Sequence, residues 1–359
     1  MLYAYVQNWV KKMLEACESK WDIVKNFVPS WFASVMGTGI LAISSIMYSS
    51  YLPILNDVAV VLFYFNVLMF FAFIIPWTLR WIMYPKNAFA DLKHPILSSF
   101  YPTVAVAMLV LGSDFINIGH SMFIGKIFWG IGAIGMAIFS IVIPFYMFKS
   151  DHIKLDHVNP GWYIPPVGLI VIPIAGSLIM PHLSGIWYEL TVLVNYFGWG
   201  AGFFLYLALL AIVIYRFILH NPLPSTLAPT IWINLGPIGA GVIALLNLVN
   251  NSSFIPIKEP FYVFSFLFWG FGLWWAVMAI IMTIYYIKNL KLPYGMPWWA
   301  FIFPLGAYVA STHLIYGIFH YNIIDYIGFG LYWLLFGLWA ITLIKTAIAT
   351  YHGYPFKGH

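Results

Sequence analysis

Apolar residues recur along this chain in ten runs of roughly 20 residues, separated by short polar loops. A run of this length is what an α-helix needs to cross the hydrocarbon core of a bilayer. The middle of each run contains no Asp, Glu, Lys or Arg. The pattern predicts ten membrane spans, numbered 1 to 10, with centres near Ile40, Phe70, Ala105, Ala137, Ile170, Ala208, Gly239, Trp274, Gly306 and Trp339.

The N-terminal residues show a different pattern, in which apolar side chains at helical spacing alternate with lysines. Such a pattern is typical of a basic amphipathic helix on the membrane surface, or of a helix packed on a neighbouring subunit. We therefore expect an amphipathic cytoplasmic helix over residues 1–28, a ten-span domain over 29–351 and a short cytoplasmic tail over 352–359.

Composition narrows the class of protein. Hydrophobic residues make up 63% of the 359 residues and charged residues 8%, whereas soluble domains average about 25% charged residues. This excludes a soluble globular protein and predicts a polytopic membrane protein. The formal charge of +5 is not read as a nucleic-acid signature, and no nucleic-acid partner is expected. The single cysteine, Cys17, excludes an internal disulfide framework.

The loops set the orientation, because cytoplasmic loops of membrane proteins are enriched in Lys and Arg. Fourteen of the 16 basic residues fall before span 1, after an even-numbered span, or at the C-terminus. Lys126 and Lys258 are the two on the opposite side. We expect a plasma-membrane protein with both termini in the cytoplasm and every odd-numbered span running from inside to outside.

Proline marks an internal repeat. Each odd span starts with a proline, at intervals of 66, 70, 64 and 68 residues: Pro29, Pro95, Pro165, Pro229 and Pro297. A second helix breaker follows seven or eight residues later, roughly 11 Å into the bilayer: Gly37, Pro102, Pro173, Pro237 and Pro304. Gly and Pro are also common in membrane helices for other reasons. The shared offset favours five equivalent hairpins in a quasi-fivefold ring, with the kinked odd helices lining a central pore.

The predicted pore-lining groups on the odd spans are small and neutral: Ser34, Thr38, Ser98, Thr103, Asn234 and Ser311. A cation pathway normally shows acidic rings, and a proton pump shows a relay of buried ionisable groups. Five parallel helices would instead direct the positive ends of their dipoles towards the cytoplasm. This favours an anion as the solute.

Three segments resemble one family. WFASVMGTGI (31–40), PTIWINLGPIGAG (229–241) and WWAFIFPLGAYVAST (298–312) are similar to the tellurite-resistance/dicarboxylate transporter family. That family includes yeast malate and sulfite transporters and plant guard-cell slow anion channels. The resemblance covers the chain beyond Phe27.

The resemblance implies a homotrimer in which each protomer holds a pore of five inner helices. It also implies a phenylalanine gate in span 9, matched here by Phe303, and a glycine beside that ring, matched by Gly37. Phe301 is a competing assignment, about 160° away on a helix. The implied substrates are inorganic anions or small dicarboxylates such as malate.

Two histidines near the predicted outer mouth, His313 and His320, leave alternatives open. They would serve a proton-coupled malate symporter as a pH or proton site, or they would simply bond to a neighbouring helix. A third class, an intramembrane haem or metal enzyme, has His313 as its candidate ligand. The run DHIKLDH (151–157) is read as a solvated loop, so no metal, cofactor or catalytic residue is predicted.

Overall fold

The computed structural model describes residues 14–151 and 153–357, and within these ranges the secondary structure consists of helices, turns and short linkers. Ten described helices are long and apolar enough to cross a membrane, and each predicted centre falls inside one of them. The prediction of an all-α protein with ten membrane spans is confirmed. Spans 1 to 10 are Pro29–Met47, Ile54–Met83, Leu97–Asn117, Met122–Lys149, Pro160–His182, Gly185–Leu219, Ala228–Asn251, Glu259–Leu290, Met296–Phe319 and Asn322–His352.

The odd and even spans occupy different layers. In an 18-residue apolar stretch of each odd span, 72% to 94% of the residues are buried, against 22% to 33% in the even spans. The even spans expose large apolar side chains such as Leu68, Phe148 and Phe204. Burial of apolar surface therefore holds the odd spans in the interior, while the even spans present the surface suited to lipid.

Contacts between the spans form a closed circle. Each odd span packs against the even span that follows it, which gives five hairpins. The odd spans also contact one another in the order 1, 3, 5, 7, 9, and span 9 contacts span 1. This order of contacts is what the predicted ring requires. Its quasi-fivefold symmetry stays a prediction.

Every odd span begins with a 3₁₀ segment and continues as an α-helix. The α segments begin at Phe32, Thr103, Ile164, Leu235 and Ile302. Pro102 directly precedes its α segment, and Pro237 and Pro304 are the third residues of theirs. The first N–H groups of a helix have no partner within it, so proline is tolerated at these positions.

The second breakers hold two kinds of position in the odd spans. In spans 3, 7 and 9 the second proline marks a change from 3₁₀ to α geometry. Pro173 lies well inside the α segment Ile164–Ile179, and Gly37 lies inside Phe32–Met47. In spans 1 and 5 the change of helix type thus occurs earlier than the residue chosen from the sequence, and the mid-helix kinks stay a prediction.

The predicted amphipathic helix over residues 1–28 stays a prediction, because its first part lies outside the described residues. Residues 1–13 and 358–359 lie outside the described residues, and residues 14–21 form turns. The only described helix before span 1 is the single turn Asp22–Lys25. The Asp22 carboxylate accepts hydrogen bonds from the amides of Glu18 and Ser19, both at 2.9 Å, and so favours a turn just before the helix.

The two ends of the described chain pack on each other. The Leu14 amide donates to the Tyr351 carbonyl at 2.8 Å. The ring of Phe356 stacks on Trp31, with ring centroids 5.4 Å apart. Span 10 reaches His352, one residue beyond the predicted boundary. The C-terminal segment is thus anchored against the start of span 1.

Candidate functional site

Two cavities lie inside the circle of odd spans. The first has a volume of about 40 Å³ and lies towards the N-terminal ends of these spans; we call it the N-side cavity. The second, of about 240 Å³, lies towards their C-terminal ends and is called the C-side cavity. The described residues that line either cavity all belong to odd spans, and all five odd spans contribute to both.

Phe303 separates the two cavities. Among the described residues it alone lines both. It is the second residue of the α segment of span 9, directly before Pro304, and 5% of it is exposed. The change from 3₁₀ to α geometry at this point places the ring between the two empty volumes. The arrangement is a passage divided by one aromatic side chain.

Phe301 has different surroundings. Its ring packs edge-on against Trp232 and Trp298, with centroid separations of 5.6 and 5.8 Å. It lines neither cavity. Its contacts are those of a packed core residue, so the geometry favours Phe303 over Phe301 as the residue that divides the passage.

Gly37 packs closely against span 9. A Cβ atom built on Gly37 would approach Ile302 at 2.9 Å and Trp299 at 3.4 Å. The glycine therefore allows close packing of span 1 on the wall of span 9. Its nearest neighbours are thus Ile302 and Trp299, and the expectation that Gly37 makes room for the ring of Phe303 stays a prediction.

One of the six predicted polar lining residues lines a cavity. Thr103 borders the N-side cavity, and its hydroxyl lies 2.6 Å from the carbonyl oxygens of Pro29 and Phe100. The other five are buried and line neither cavity, and their assignment to the pore lining stays a prediction: Ser34, Thr38, Ser98, Asn234 and Ser311.

Local hydrogen bonds explain part of this difference. The Ser34 hydroxyl donates to the Trp31 carbonyl at 2.6 Å, and the Ser311 hydroxyl donates to the Tyr308 carbonyl at 2.8 Å. The Thr38 hydroxyl instead accepts a bond from the Trp339 indole of span 10 at 3.0 Å. Hydroxyls in apolar helices are satisfied by such partners without any contact with a cavity.

The polar groups of the C-side cavity are ones that the sequence patterns missed. Ser113, Asp114 and Asn117 come from span 3, and Asn247 comes from span 7. Span 3 continues to Asn117, so the expectation that odd spans carry no carboxylate is wrong. A usable signal was the helical spacing of Val110, Ser113 and Asn117, which places all three on one face.

Asp114 is the notable member of this group. It is fully buried, and its Oδ2 accepts a long hydrogen bond from the Asn66 amide of span 2 at 3.4 Å. Its Oδ1 has no partner. Among the described residues that line the two cavities, Asp114 is the one with a titratable side chain. Burial of an unpaired charge at this position is costly.

The predicted histidine site lies apart from the cavities. The His313 Nδ1 is 2.9 Å from Oδ1 of Asp325 in span 10, and the Tyr51 hydroxyl donates to Oδ2 of the same carboxylate at 2.7 Å. Partial burial and the bond to Asp325 raise the pKa of Tyr51 to about 12. Tyr51 therefore remains a donor at neutral pH.

His320 ends span 9. Its backbone adopts the left-handed conformation with φ 58°, and its amide donates to the Tyr316 carbonyl at 2.7 Å. His313 is bonded to the neighbouring helix, and neither histidine lines a cavity. Both rings contact the ring of Tyr316, with centroid separations of 6.1 Å for His313 and 6.3 Å for His320, and their role as a pH or proton site stays a prediction.

The fold and the cavities define a class: a multi-pass helical membrane protein with two internal cavities between its odd spans. The chain belongs to the SLAC1 family of voltage-dependent anion channels, whose family model matches residues 26–347. The family resemblance read from the three sequence segments is thereby confirmed.

Relatives span both archaea and fungi. An uncharacterized transporter of Methanocaldococcus jannaschii is 78% identical over 347 residues, which is 97% of this chain and 100% of the relative. A sulfite efflux pump of Arthroderma otae is 29% identical over 329 residues, or 86% of each chain. A malic acid transport protein of Schizosaccharomyces pombe is 22% identical over 316 residues, covering 80% of this chain and 70% of that protein. Anion transport is the activity common to the family and these characterised relatives.

Proposed function

We propose that this protein conducts small anions across the membrane along the axis of the odd spans, and that Phe303 closes this path in the conformation described. The observation that carries the proposal is that Phe303 is the wall shared by both cavities. Removal of one ring would join two volumes that five inward-facing helices already enclose. A continuous path would result without rearrangement of any span.

Helix dipoles support an anion as the solute. The five odd spans run in the same direction, so their positive N-terminal ends gather around the N-side cavity. No described side chain lining that cavity carries a charge. Weak attraction by backbone dipoles, without a fixed countercharge, favours passage over tight binding.

The size of the C-side cavity favours small substrates. At roughly 30 Å³ per water molecule, its volume of about 240 Å³ holds a C4-dicarboxylate such as malate or a hydrated inorganic anion. Ser113, Asn117 and Asn247 bring hydroxyl and amide groups to its lining, and the two amides also donate to the carbonyls of Ser113 and Ile174. The names of the fungal relatives, for sulfite and malic acid, agree with these two classes. We favour malate-like carboxylates, with inorganic anions next.

Bilayer recordings with chloride, nitrate, sulfite and malate test this proposal. We expect anion currents that reverse at the anion equilibrium potential and vanish when the anion is replaced by a large organic one. Currents carried by cations would contradict the assignment. An absence of current in the wild type is compatible with a closed gate, so the Phe303→Ala variant described below is recorded in parallel.

A second candidate function is proton-coupled anion symport, because Asp114 places a carboxyl group at the C-side cavity. In this case a proton on Asp114 would accompany the anion, and the histidines proposed from the sequence would not be required. An imposed pH gradient should then drive uphill malate uptake into proteoliposomes, and Asp114→Asn should abolish this uptake while passive flux remains. Uptake that ignores the pH gradient selects the channel.

We also propose a homotrimer in the plasma membrane with cytoplasmic termini, as the family resemblance and the distribution of basic loops suggest. The mass of the detergent-solubilised protein, measured by light scattering with the detergent subtracted, tests the subunit number. A mass of one or two subunits would contradict the trimer. The orientation is tested by the labelling experiment given in the Discussion.

A further inference from the structure

A third cavity opens on the outer surface formed by the even spans, away from the two central cavities. It is a cleft of about 350 Å³ between the even spans 6 and 8, and Ile231 of span 7 contributes to its lining. Spans 6 and 8 also expose large apolar side chains beside it, including Ile218 at 73% and Trp274 at 55%. The cleft therefore belongs to the surface suited to lipid.

The length of the cleft corresponds to one leaflet of a bilayer. Its lining on span 8 runs from Trp274, near the middle of the span, to Tyr286, near the end. Twelve residues at about 1.5 Å each give about 18 Å, and half of a hydrocarbon core is roughly 15 Å. The cleft thus reaches from the membrane surface to the centre of the bilayer.

The walls along this length are apolar and adaptable. Phe217 on span 6 faces Trp275, Met278 and Met282 on span 8 across the cleft. Methionine and aromatic side chains fit flexible apolar ligands well. A hydrocarbon chain matches both the shape and the chemistry of this surface.

One end of the cleft carries a positive charge without a carboxylate partner. Arg216 lines the cleft and is 2% exposed. Its Nη1 donates to the Asn221 carbonyl at 2.6 Å, and its Nε has no partner. Among the described residues, no salt bridge includes Arg216.

The neighbouring acid is already engaged. His220 also lines this end of the cleft, and its Nε2 lies 2.6 Å from Oδ1 of Asp156. Arg216 therefore has no ion-pair contact of its own, and Asp156 acts on it only from beyond ion-pair distance. Burial of a guanidinium without a counterion is costly, and a phosphate group is a favourable anionic partner for it. The Arg216 end of the cleft also lies at the membrane surface that carries most of the basic loops. Basic groups at this surface recognise anionic lipids.

We propose that the cleft binds one anionic phospholipid, with a hydrocarbon chain between spans 6 and 8 and the phosphate group on Arg216. The lipid would fill the space between two outer helices that have few contacts of their own. It would also neutralise the buried guanidinium. This site is independent of the anion path, because no residue of the cleft lines either central cavity.

Native mass spectrometry of the full-length protein in detergent tests the proposal. The protein is titrated with phosphatidylglycerol and with phosphatidylcholine of identical chains. We expect one phosphatidylglycerol per protomer, bound about tenfold more tightly than phosphatidylcholine, because the choline cation of the latter offsets the charge of the phosphate that both lipids carry. Inorganic phosphate at millimolar concentration serves as a competitor, to separate a lipid site from a site for free anions.

Four variants assign the effect to the cleft. Arg216→Gln should remove the preference for phosphatidylglycerol, and Arg216→Lys should keep most of it. Met278→Trp fills the apolar part while the charge remains, so both lipids should bind more weakly. Lys149→Gln removes an exposed basic residue at the same membrane surface and should leave the preference unchanged.

Three results would overturn the proposal. One is equal binding of the two lipids by the wild type, or a preference that survives in Arg216→Gln. Another is displacement by inorganic phosphate. The third is a changed subunit number in Met278→Trp with unaltered lipid binding, which would mean that a second copy of the chain covers the cleft. If Arg216→Gln does not fold, Met278→Trp and Arg216→Lys decide the question.

Discussion

Replacement of Phe303 by alanine is the most direct test of the passage. The ring borders the N-side cavity of about 40 Å³ and the C-side cavity of about 240 Å³. Truncation to alanine joins them, whereas the change of helix type next to Pro304 remains. We expect the variant to fold and to conduct anions continuously.

The expected size of the effect follows from the desolvation of the permeating anion. Passage through a closed apolar constriction strips hydration from the ion, which costs several kcal/mol even after relaxation. A barrier lowered by about 3 kcal/mol raises the flux about 100-fold, since each 1.36 kcal/mol is a factor of ten in rate. The truncation of a buried Phe in a closed core costs about 3–5 kcal/mol of stability. We expect a cost near the lower limit, because empty space already flanks this ring.

Efflux from proteoliposomes loaded with chloride or malate measures the effect. Phe301→Ala is the matched control. It removes an identical ring two residues earlier in the chain, and Phe301 lines neither cavity. Its flux should stay at the wild-type level. Wild-type flux in a well-folded Phe303→Ala protein, or an equal increase in Phe301→Ala, would refute the assignment of the gate.

Three further predictions concern packing and orientation. Gly239→Ala should lower the midpoint of thermal unfolding strongly, because a Cβ there would overlap the backbone of Ala307 and Tyr308. Gly270→Ala is the control: a Cβ there has no atom within 4 Å, so the midpoint should stay unchanged. Phe356→Ala should destabilise the protein by up to about 3–5 kcal/mol, because the stacking on Trp31 is lost. Tyr354→Ala, at a side chain that is 58% exposed, should leave the stability unchanged. Equal midpoints of thermal unfolding in the two variants would contradict the role of Phe356 as an anchor. In a Cys17→Ser background, a membrane-impermeant maleimide should label Ser253→Cys in intact cells and Thr226→Cys only after permeabilisation. The reverse pattern would invert the proposed orientation.

Hydropathy predicted the spans well, because a helix in lipid must satisfy its backbone internally and present an apolar surface over a fixed length. All ten centres lie inside the observed spans. The start of span 1 was predictable from Pro29, since proline is favoured where a helix begins. The N-terminal segment was not, because turns that pair with Tyr351 depend on the far end of the chain.

Side-chain direction was the weaker part of the prediction. Hydroxyls such as those of Ser34 and Ser311 bond to carbonyls of their own helix, so their polarity does not reveal which way they face. Asp114 escaped the choice of polar lining residues because hydropathy falls towards the end of a span, although the helix continues to Asn117. The choice between Phe301 and Phe303 needed the rings of Trp232 and Trp298, which sequence spacing cannot place beside Phe301.

The contact between span 9 and span 1 has a consequence for biogenesis. Translation delivers span 1 to the bilayer first, yet its partner emerges only after seven intervening spans have been inserted. Until then the apolar face of span 1 that later contacts span 9 is exposed to lipid or to the insertion machinery. Phe356, which reaches Trp31 from the last residues of the chain, leaves the ribosome later still. The circle of odd spans therefore cannot close before span 9 has been inserted, and the contact between Phe356 and Trp31 has to wait for the last residues of the chain.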